Sequence, residues 1–335
     1  MAVAVRSFAK INLGLYIGAR RPSGFHDLRT VYQTIALHDL IRVDVARGVG
    51  IEIRCKDARV PDDESNTCWR VADRVLKALK TRQKVVIQID KKLPVQGGLG
   101  AGSSNAIATL VALEKALKVE LPPALKLQIA SEVGSDLPLF LVGGTVLGSG
   151  RGEEVFPLPD LLPLACVVVT PQAAVSTPQA FAAWDRLQEN AELTGPAPAC
   201  RIDVFSRTIF AWLAGTLTGV PAEDGRPHAK RGAKSVVKSG DRAETLLLDL
   251  VRAGIENDFE RVVFPQYPEL REVKRVLERE GARYASLSGS GAALYGLFES
   301  LQDAERAAER LQQRGLAAQA THTLSRSEYW RQMVE

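Results

Sequence analysis

The chain reads as an α+β protein of two domains, and three observations lead there. At 335 residues it is longer than a single hydrophobic core usually grows. An apolar, β-branched run, Val85-Val86-Ile87-Gln88-Ile89, is followed by a glycine-rich loop and then by Ile107, Leu110, Val111 and Leu117 at helical spacing. Near the other end, a strand over 293–298 precedes a helix over 301–313. Hydrophobic residues make up 46% and charged residues 24%, the balance of a soluble globular protein.

Composition excludes several classes. A net charge of +4 does not demand nucleic acid and suits an anionic small molecule equally well. The four cysteines include no Cys-x-x-Cys pair and there are only four histidines, so neither a zinc site nor a disulfide framework is expected. A cytoplasmic protein is the simplest reading. The opening Met-Ala-Val-Ala-Val-Arg-Ser lacks the apolar core of a signal peptide. No run approaches the 18 or so apolar residues of a membrane span, so no membrane partner is expected.

In chain order, residues 6–17 alternate as a strand: Ile11, Leu13, Leu15 and Ile17 share one face, and Phe8, Lys10, Asn12 and Tyr16 the other. Periodicity alone favours an edge strand with a solvated second face. Pro22-Ser23-Gly24 marks a turn, and Phe25-His26 follow it. Taken alone, that pair suits packing or a pocket for a planar base. Further strands are expected over 35–54 around Gly48-Val49-Gly50. Asn66 precedes a helical stretch to residue 79.

The loop Pro94-Val95-Gln96-Gly97-Gly98-Leu99-Gly100-Ala101-Gly102-Ser103-Ser104-Asn105 joins the strand at 85–90 to the next helix. Glycine lets backbone approach a ligand closely, and a helix start offers unpaired N–H groups and the positive end of a dipole. Together they make a phosphate site. The plainer alternative is a strand-to-helix turn with a serine N-cap. Known phosphate loops do not fit: there is no Gly-Lys-Ser/Thr, no Gly-x-Gly-x-x-Gly, and no protein-kinase His-Arg-Asp or Asp-Phe-Gly.

A helix over 124–133 stops at Gly134. Gly134-Ser135-Asp136-Leu137-Pro138-Leu139-Phe140 then sets one carboxylate in an apolar run, in the position of an N-cap before proline. Residues 142–153 are glycine-rich and are expected to end the first domain near 155. The second, 156–335, opens with the apolar strand 165–169 and Val175-Ser176-Thr177-Pro178, with Phe181 beyond. A polar insertion at about 189–245 carries a short helix at 203–217 and a basic stretch at 221–242, expected to be a solvated loop. Asn257-Asp258-Phe259-Glu260 and Ser286-Leu287-Ser288-Gly289-Ser290-Gly291-Ala292 follow.

The loop pattern Pro-x-x-x-Gly-Leu-Gly-x-Gly-Ser-Ser resembles the nucleotide loop of the GHMP kinases, which act on galactose, homoserine, mevalonate and phosphomevalonate. The run at 286–292 resembles the third motif of that family, and 134–140 matches its Gly-x-Asp-x-Pro-x-Phe. The opening Ala9-Lys10-Ile11-Asn12-Leu13, with Arg-x-x-Gly-Phe-His ending at His26, then Leu28, Thr30 and Gln33, is similar to one branch. The acceptor alcohol of that branch carries a cytidine diphosphate, and the branch serves the non-mevalonate isoprenoid pathway. Departures are Phe25, where the branch usually has tyrosine, and Gln96 and Ala101, where the family tends to have glycine. These two are mild at negative φ and strained at positive φ.

The resemblance implies a ribosomal S5 domain 2-like N-terminal domain that binds ATP and a ferredoxin-like C-terminal domain. It implies ATP held by residues 94–104 and Asn66, with Mg²⁺ carried by the ATP; no carboxylate pair marks a dedicated metal site, so no protein metal ligand is expected. Asp136 would take the proton of the acceptor hydroxyl, and Lys10 beside it would favour the ionised carboxylate and neutralise the moving phosphoryl group. Asn12, Phe25, His26 and Phe181 would bind the substrate, with the base stacked between the two phenylalanines and His26 reading its edge. The implied partner is a small-molecule cytidine diphosphate, with no nucleic acid, acting on a monomer or weak homodimer. Alternatives are another GHMP small-molecule kinase, of homoserine or mevalonate type, and a nucleic-acid-binding module. The Phe25-His26 pair speaks against the first, and the spread of acidic residues against the second.

Overall fold

The computed structural model describes residues 2–22, 24–95, 97–161, 163–191, 206–207 and 255–334, and elements are numbered over these. The expected helix at 203–217 and basic stretch at 221–242 lie outside them, apart from Ser206 and Arg207; so does Gln96 of the glycine loop.

Two long strands frame the first half. β1 (Val3–Arg20) and β2 (His26–Ala46) pair antiparallel from Val3–Val43 to Arg20–His26. The other edge of β2 is shared: β4 (Lys84–Asp90) pairs with residues 40–46, and β5 (Thr145–Ser149) with residues 30–33. β3 (Gly50–Cys55) lies parallel to β4, and β6 (Glu154–Pro157) pairs with β5. Helices α1 (Thr67–Ala78), α2 (Ala101–Leu117), α3 (Pro123–Val133) and α4 (Leu137–Val142) belong to this half. Residues 104–113 of α2 are all buried, so it reads as apolar nearly all round and forms the centre of the first core.

A second, antiparallel sheet has the order β10-β7-β9-β8: β7 (Ala165–Val169), β8 (Tyr284–Leu287), β9 (Leu294–Phe298) and β10 (Ala318–His322). Beside it lie α5 (Thr177–Ala191), α6 (Glu260–Gln266), α7 (Pro268–Arg279) and α8 (Leu301–Gln313). The inner sheet strands are buried on both faces. Val167 and Val169 pack with Leu277 and Leu311 of the helices, while Cys166 and Val168 pack with Ile11, Leu13 and Leu99 of the first half. That is why β7 is an unbroken apolar run rather than an alternating one. The last helix, α9 (Arg326–Met333), opens with a capping box between Ser325 and Glu328. It returns to the first core, where the Tyr329 hydroxyl donates to Phe140 O.

β1 departs from the expected solvated face. It pairs with β2 alone in the sheet, yet Phe8, Lys10, Asn12 and Tyr16 are all buried. Register shifts between Phe8 and Ala9 and between Asn12 and Leu15 break the alternation. Phe8 packs into the first core and Tyr16 into the core between the sheets, while Lys10 and Asn12 line the cleft beside Gly289; Lys10 N donates to Leu99 O at 3.0 Å.

Candidate active site

The glycine loop is fixed at both ends. Where β4 runs out, the buried Asp39 carboxylate accepts from the amides of Lys92 and Leu93, both at 2.7 Å, and pairs with the Lys91 ammonium. Further on, the loop meets the run 286–292: Ala293 N donates to Gly97 O, and the Ser288 hydroxyl donates to Gly98 O. The contact is so close that a Cβ on Gly98 would lie 2.0 Å from Ser288 O, at φ +76°. Gly100, at φ +68°, is the N-cap of α2 and offers no side-chain cap, so the first amides of that helix have no side chain from the cap to satisfy them.

Two cavities lie against this loop and share Gly98 and Gly100. The smaller, about 360 Å³, is lined by Asn66, Pro94, Val95, Gly97, Ala101, Gly102 and Ser103 among others. Ala101 opens α2 and is absent from the positive-φ residues, so the alanine carries no backbone strain. Two predicted residues are not brought to the cavity: Leu99 is buried in the core between the sheets, and the Ser104 hydroxyl lies 2.8 Å from Ser7 Oγ, inside the protein. Asn66 lines the cavity while capping α1, its amide oxygen accepting from Cys68 N and its nitrogen donating to Pro61 O.

The larger cleft, about 940 Å³, lies between the two halves. At one end Lys10 Nζ stands 3.9 Å from Asp136 Oδ2 and donates to Asn12 Oδ1 at 2.7 Å. Asn12 in turn donates to Thr30 Oγ1, whose hydroxyl donates to Gly14 O. Asp136 does occupy the N-cap position of α4, but its side chain makes no capping bond and faces the cleft, where Oδ1 accepts from the Tyr32 hydroxyl at 3.2 Å. Burial pulls the Lys10 ammonium below the ordinary lysine value, and Asp136 pushes the other way. Burial, reinforced by Asp136, drives the Tyr32 hydroxyl well above the ordinary phenol value, so it stays a donor. The arrangement holds a carboxylate between a cation and a fixed proton donor.

At the other end stand the aromatic residues. Phe181 does not face Phe25 directly. Its ring stacks on His26, centroids 5.0 Å apart and planes 10° apart, and meets Phe259 edge-on. Phe25 is 51% exposed and lies under the Arg151 guanidinium, 4.8 Å from its ring. His26 Nε2 is 2.6 Å from Asp185 Oδ1, and Arg20 Nη1 is 3.7 Å from Asp185 Oδ2. The floor is held by the segment at 257–260. Asn257 donates to Leu287 O and Gly289 O, Asp258 accepts from Ile17 N, and Glu260 accepts from Leu287 N and the Ser286 hydroxyl.

Sequence reasoning missed Tyr32, Arg151 and Asp185. Tyr32 carried a signal: it follows Thr30 by two positions on a strand and so shares its face. Asp185 carried a weaker one, four residues past Phe181 on the same helix. Among the described residues, no cluster of three His, Cys, Asp or Glu could hold a metal ion, and no helix is long and apolar enough to cross a membrane.

Fold and site together define a class. The family model for the GHMP kinases N terminal domain matches residues 66–144, and that for GHMP kinases C terminal matches 242–317. A homoserine kinase from Cytophaga hutchinsonii shares the fold, with a TM-score of 0.66 at 18% identity over 97% of this chain and 95% of that one. Two relatives, from Solibacter usitatus and Geobacter sulfurreducens, carry the name 4-diphosphocytidyl-2-C-methyl-D-erythritol kinase. The first is 36% identical over 92% of this chain and 84% of its own, the second 34% over 96% and 99%. A crystal structure of 4-(cytidine 5'-diphospho)-2C-methyl-D-erythritol kinase superposes with a TM-score of 0.69 at 28% identity, covering 96% of this chain and 98% of that one. The chain belongs to the 4-diphosphocytidyl-2-C-methyl-D-erythritol kinase family within the GHMP kinases. Membership implies ATP as phosphoryl donor and a small molecule as acceptor.

Proposed function

We propose that the chain transfers the γ-phosphoryl group of ATP to the 2-hydroxyl of 4-diphosphocytidyl-2-C-methyl-D-erythritol, a step of the non-mevalonate route to isoprenoid precursors. The observation that carries the reading is the pair Lys10–Asp136, 3.9 Å apart, where the cleft meets the glycine loop. ATP lies in the smaller cavity along Pro94, Val95, Gly97, Gly98, Gly100, Ala101, Gly102 and Ser103, with Asn66 on its wall and loop and helix amides on its phosphates. Mg²⁺ arrives with ATP as part of that substrate. Asp136 accepts the proton of the acceptor hydroxyl, and Lys10 neutralises charge on the transferring group. Asn12 fixes the lysine, and Tyr32 orients the carboxylate.

The far end of the cleft takes the cytidine. His26 meets the base edge, while Phe25 and Phe181 supply stacking surface once the base comes between them. The first domain, ending near residue 155, contributes the nucleotide loop, and the second contributes α5 and the run at 286–292. The protein works in the cytoplasm as a monomer or weak homodimer and needs neither nucleic acid nor membrane.

The test is ADP release with ATP, Mg²⁺ and the cytidine substrate, run beside mevalonate, homoserine and galactose. Turnover with the cytidine substrate alone is expected. Turnover with another acceptor instead would keep the kinase and discard the base pocket.

A further inference from the structure

We propose that Asp185 is a positioning residue that decides which nitrogen of His26 carries the proton, and thereby sets a preference for cytosine over uracil. The inference rests on the substrate reading above.

His26 is held on two sides. Its ring face lies against Phe181, and its Nε2 edge is 2.6 Å from Asp185 Oδ1, one helical turn further along α5. The other carboxylate oxygen is steadied by Arg20, 3.7 Å away. With the residue 6% exposed, the ring has little room to turn. A carboxylate accepts and does not donate, so the Nε2 position must carry hydrogen. In the neutral imidazole the remaining nitrogen, Nδ1, is then a bare acceptor. No other hydrogen bond to the ring is formed among the described residues.

A bare Nδ1 distinguishes the two pyrimidines at one position. Cytosine presents an amino donor at its 4-position, and uracil presents a carbonyl acceptor there. The first completes a hydrogen bond with Nδ1; the second sets two lone pairs against each other. Sites built to pair a substrate donor reject the analogue that lacks it far more strongly than apolar pockets do. Without Asp185 the ring can place its hydrogen on either nitrogen, and Nδ1–H would welcome the uracil carbonyl. The pair also ties α5 to the start of β2, so a merely structural role is the competing account.

The imidazole nitrogens of the full-length enzyme, followed by ¹⁵N NMR, test the first half. The His26 signals are identified by their loss in His26→Gln. Wild type is expected to show protonated Nε2 and bare Nδ1, and Asp185→Ala a mixture of tautomers. Kinetics with the cytidine substrate and its uridine counterpart test the second half. Asp185→Ala is expected to raise KM for the cytidine substrate about 10- to 100-fold, the range for a lost charged hydrogen bond, with the loss falling on KM rather than kcat. The cytidine-to-uridine ratio of kcat/KM should shrink by a similar factor. Asp185→Asn, whose amide oxygen still accepts, should keep most of that ratio.

An unchanged tautomer in Asp185→Ala overturns the positioning role. An equal loss for both bases leaves only the structural tie and also overturns the proposal. If wild type turns over no cytidine substrate while Nδ1 is bare, the substrate reading has failed and the base preference falls with it.

Discussion

The two ends of the large cleft are built on opposite plans. At the Lys10 end, polar groups are fixed in a chain of buried neighbours: Lys10 by Asn12, Asn12 by Thr30, Thr30 by the Gly14 carbonyl. The glycine loop beside it is fastened by the Asp39 carboxylate at residues 92–93, by the Ser288 hydroxyl at Gly98 O, and by backbone bonds from Ala293 N to Gly97 O and from Lys10 N to Leu99 O. At the Phe181 end, the groups sit on a loop, a strand start and α5, and they satisfy one another by stacking, by the His26–Asp185 hydrogen bond, and by the ion pairs Arg20–Asp185 and Arg151–Glu153. Preorganisation belongs where charge develops in a transition state, because donors that need no rearrangement cost nothing at the moment of reaction. A base needs only two faces and an edge, and a half-exposed ring such as Phe25 can supply a face without being fixed in advance. The contrast predicts that damage at the first end lowers kcat, and damage at the second raises KM.

The largest expected effect breaks the first end. Asp136→Asn should lower kcat by about 10²–10⁴-fold, the usual worth of a general base, while ATP binding measured by calorimetry persists. Full activity in that variant would remove Asp136 from the proton path. Next comes the loop itself. Gly98→Ala puts a Cβ 2.0 Å from Ser288 O at a positive φ, whereas at Gly102 the nearest atom would be Thr67 Oγ1 at 3.8 Å. Gly98→Ala should cost about 1–3 kcal/mol or more, as overpacking does, and Gly102→Ala, inside the first turn of α2, should leave stability equal or raised by about 0.5–1 kcal/mol. Denaturant midpoints of the two variants check this, and equal midpoints would mean that Gly98 is not pinned by the second loop.

The same contrast governs what could be read from the chain. The first end is legible where backbone does the chemistry. Only glycine tolerates the positions of Gly98 and Gly100, so their spacing is visible in the sequence. β7 is legible for a similar reason, since burial on both faces forces five apolar residues in a row. What could not be read is proximity. Lys10 lies on β1, while Asp136 opens α4, which packs on α2, α3 and β6, and no local spacing encodes their meeting. The solvated face assigned to β1 failed because period two reports alternation, and a polar face covered by a distant stretch of chain, here Gly289 beside Lys10 and Asn12, alternates as well as one in water. Asp185 was missed because its partner His26 lies on β2, and an aspartate on an amphipathic helix is ordinarily a surface residue.

A smaller effect sharpens the second end. Phe181 packs on His26 and Phe259 from two directions, while Phe25 is half-exposed beneath Arg151. Phe181→Ala should therefore raise KM for the cytidine substrate more than Phe25→Ala does, with stacking worth about 1–3 kcal/mol per base. Both should leave KM for ATP unchanged, because neither residue lines the smaller cavity. Steady-state kinetics with each substrate varied in turn decides it. A larger effect at Phe25 would shift the base towards the Arg151 loop and away from α5.

The smallest effect concerns the buried cation. Burial holds the folded-state pKa of Lys10 below its ordinary value of 10.5, with Asp136 opposing. Between the lowered value and 10.5 the unfolded chain binds more protons at this residue than the folded one does. Stability contributed by this group must therefore rise with pH across that window and level off above 10.5. The cost of burying the charge is present at neutral pH and relieved in alkali, the reverse of an exposed lysine that gains a partner. Lys10→Met removes the titration, so the difference in unfolding free energy between wild type and variant should drift in favour of wild type as pH rises towards 10.5. Urea unfolding at several alkaline pH values measures that drift. A difference that stays flat would mean that Asp136 compensates the ammonium fully, and that this end of the cleft holds its charge without strain.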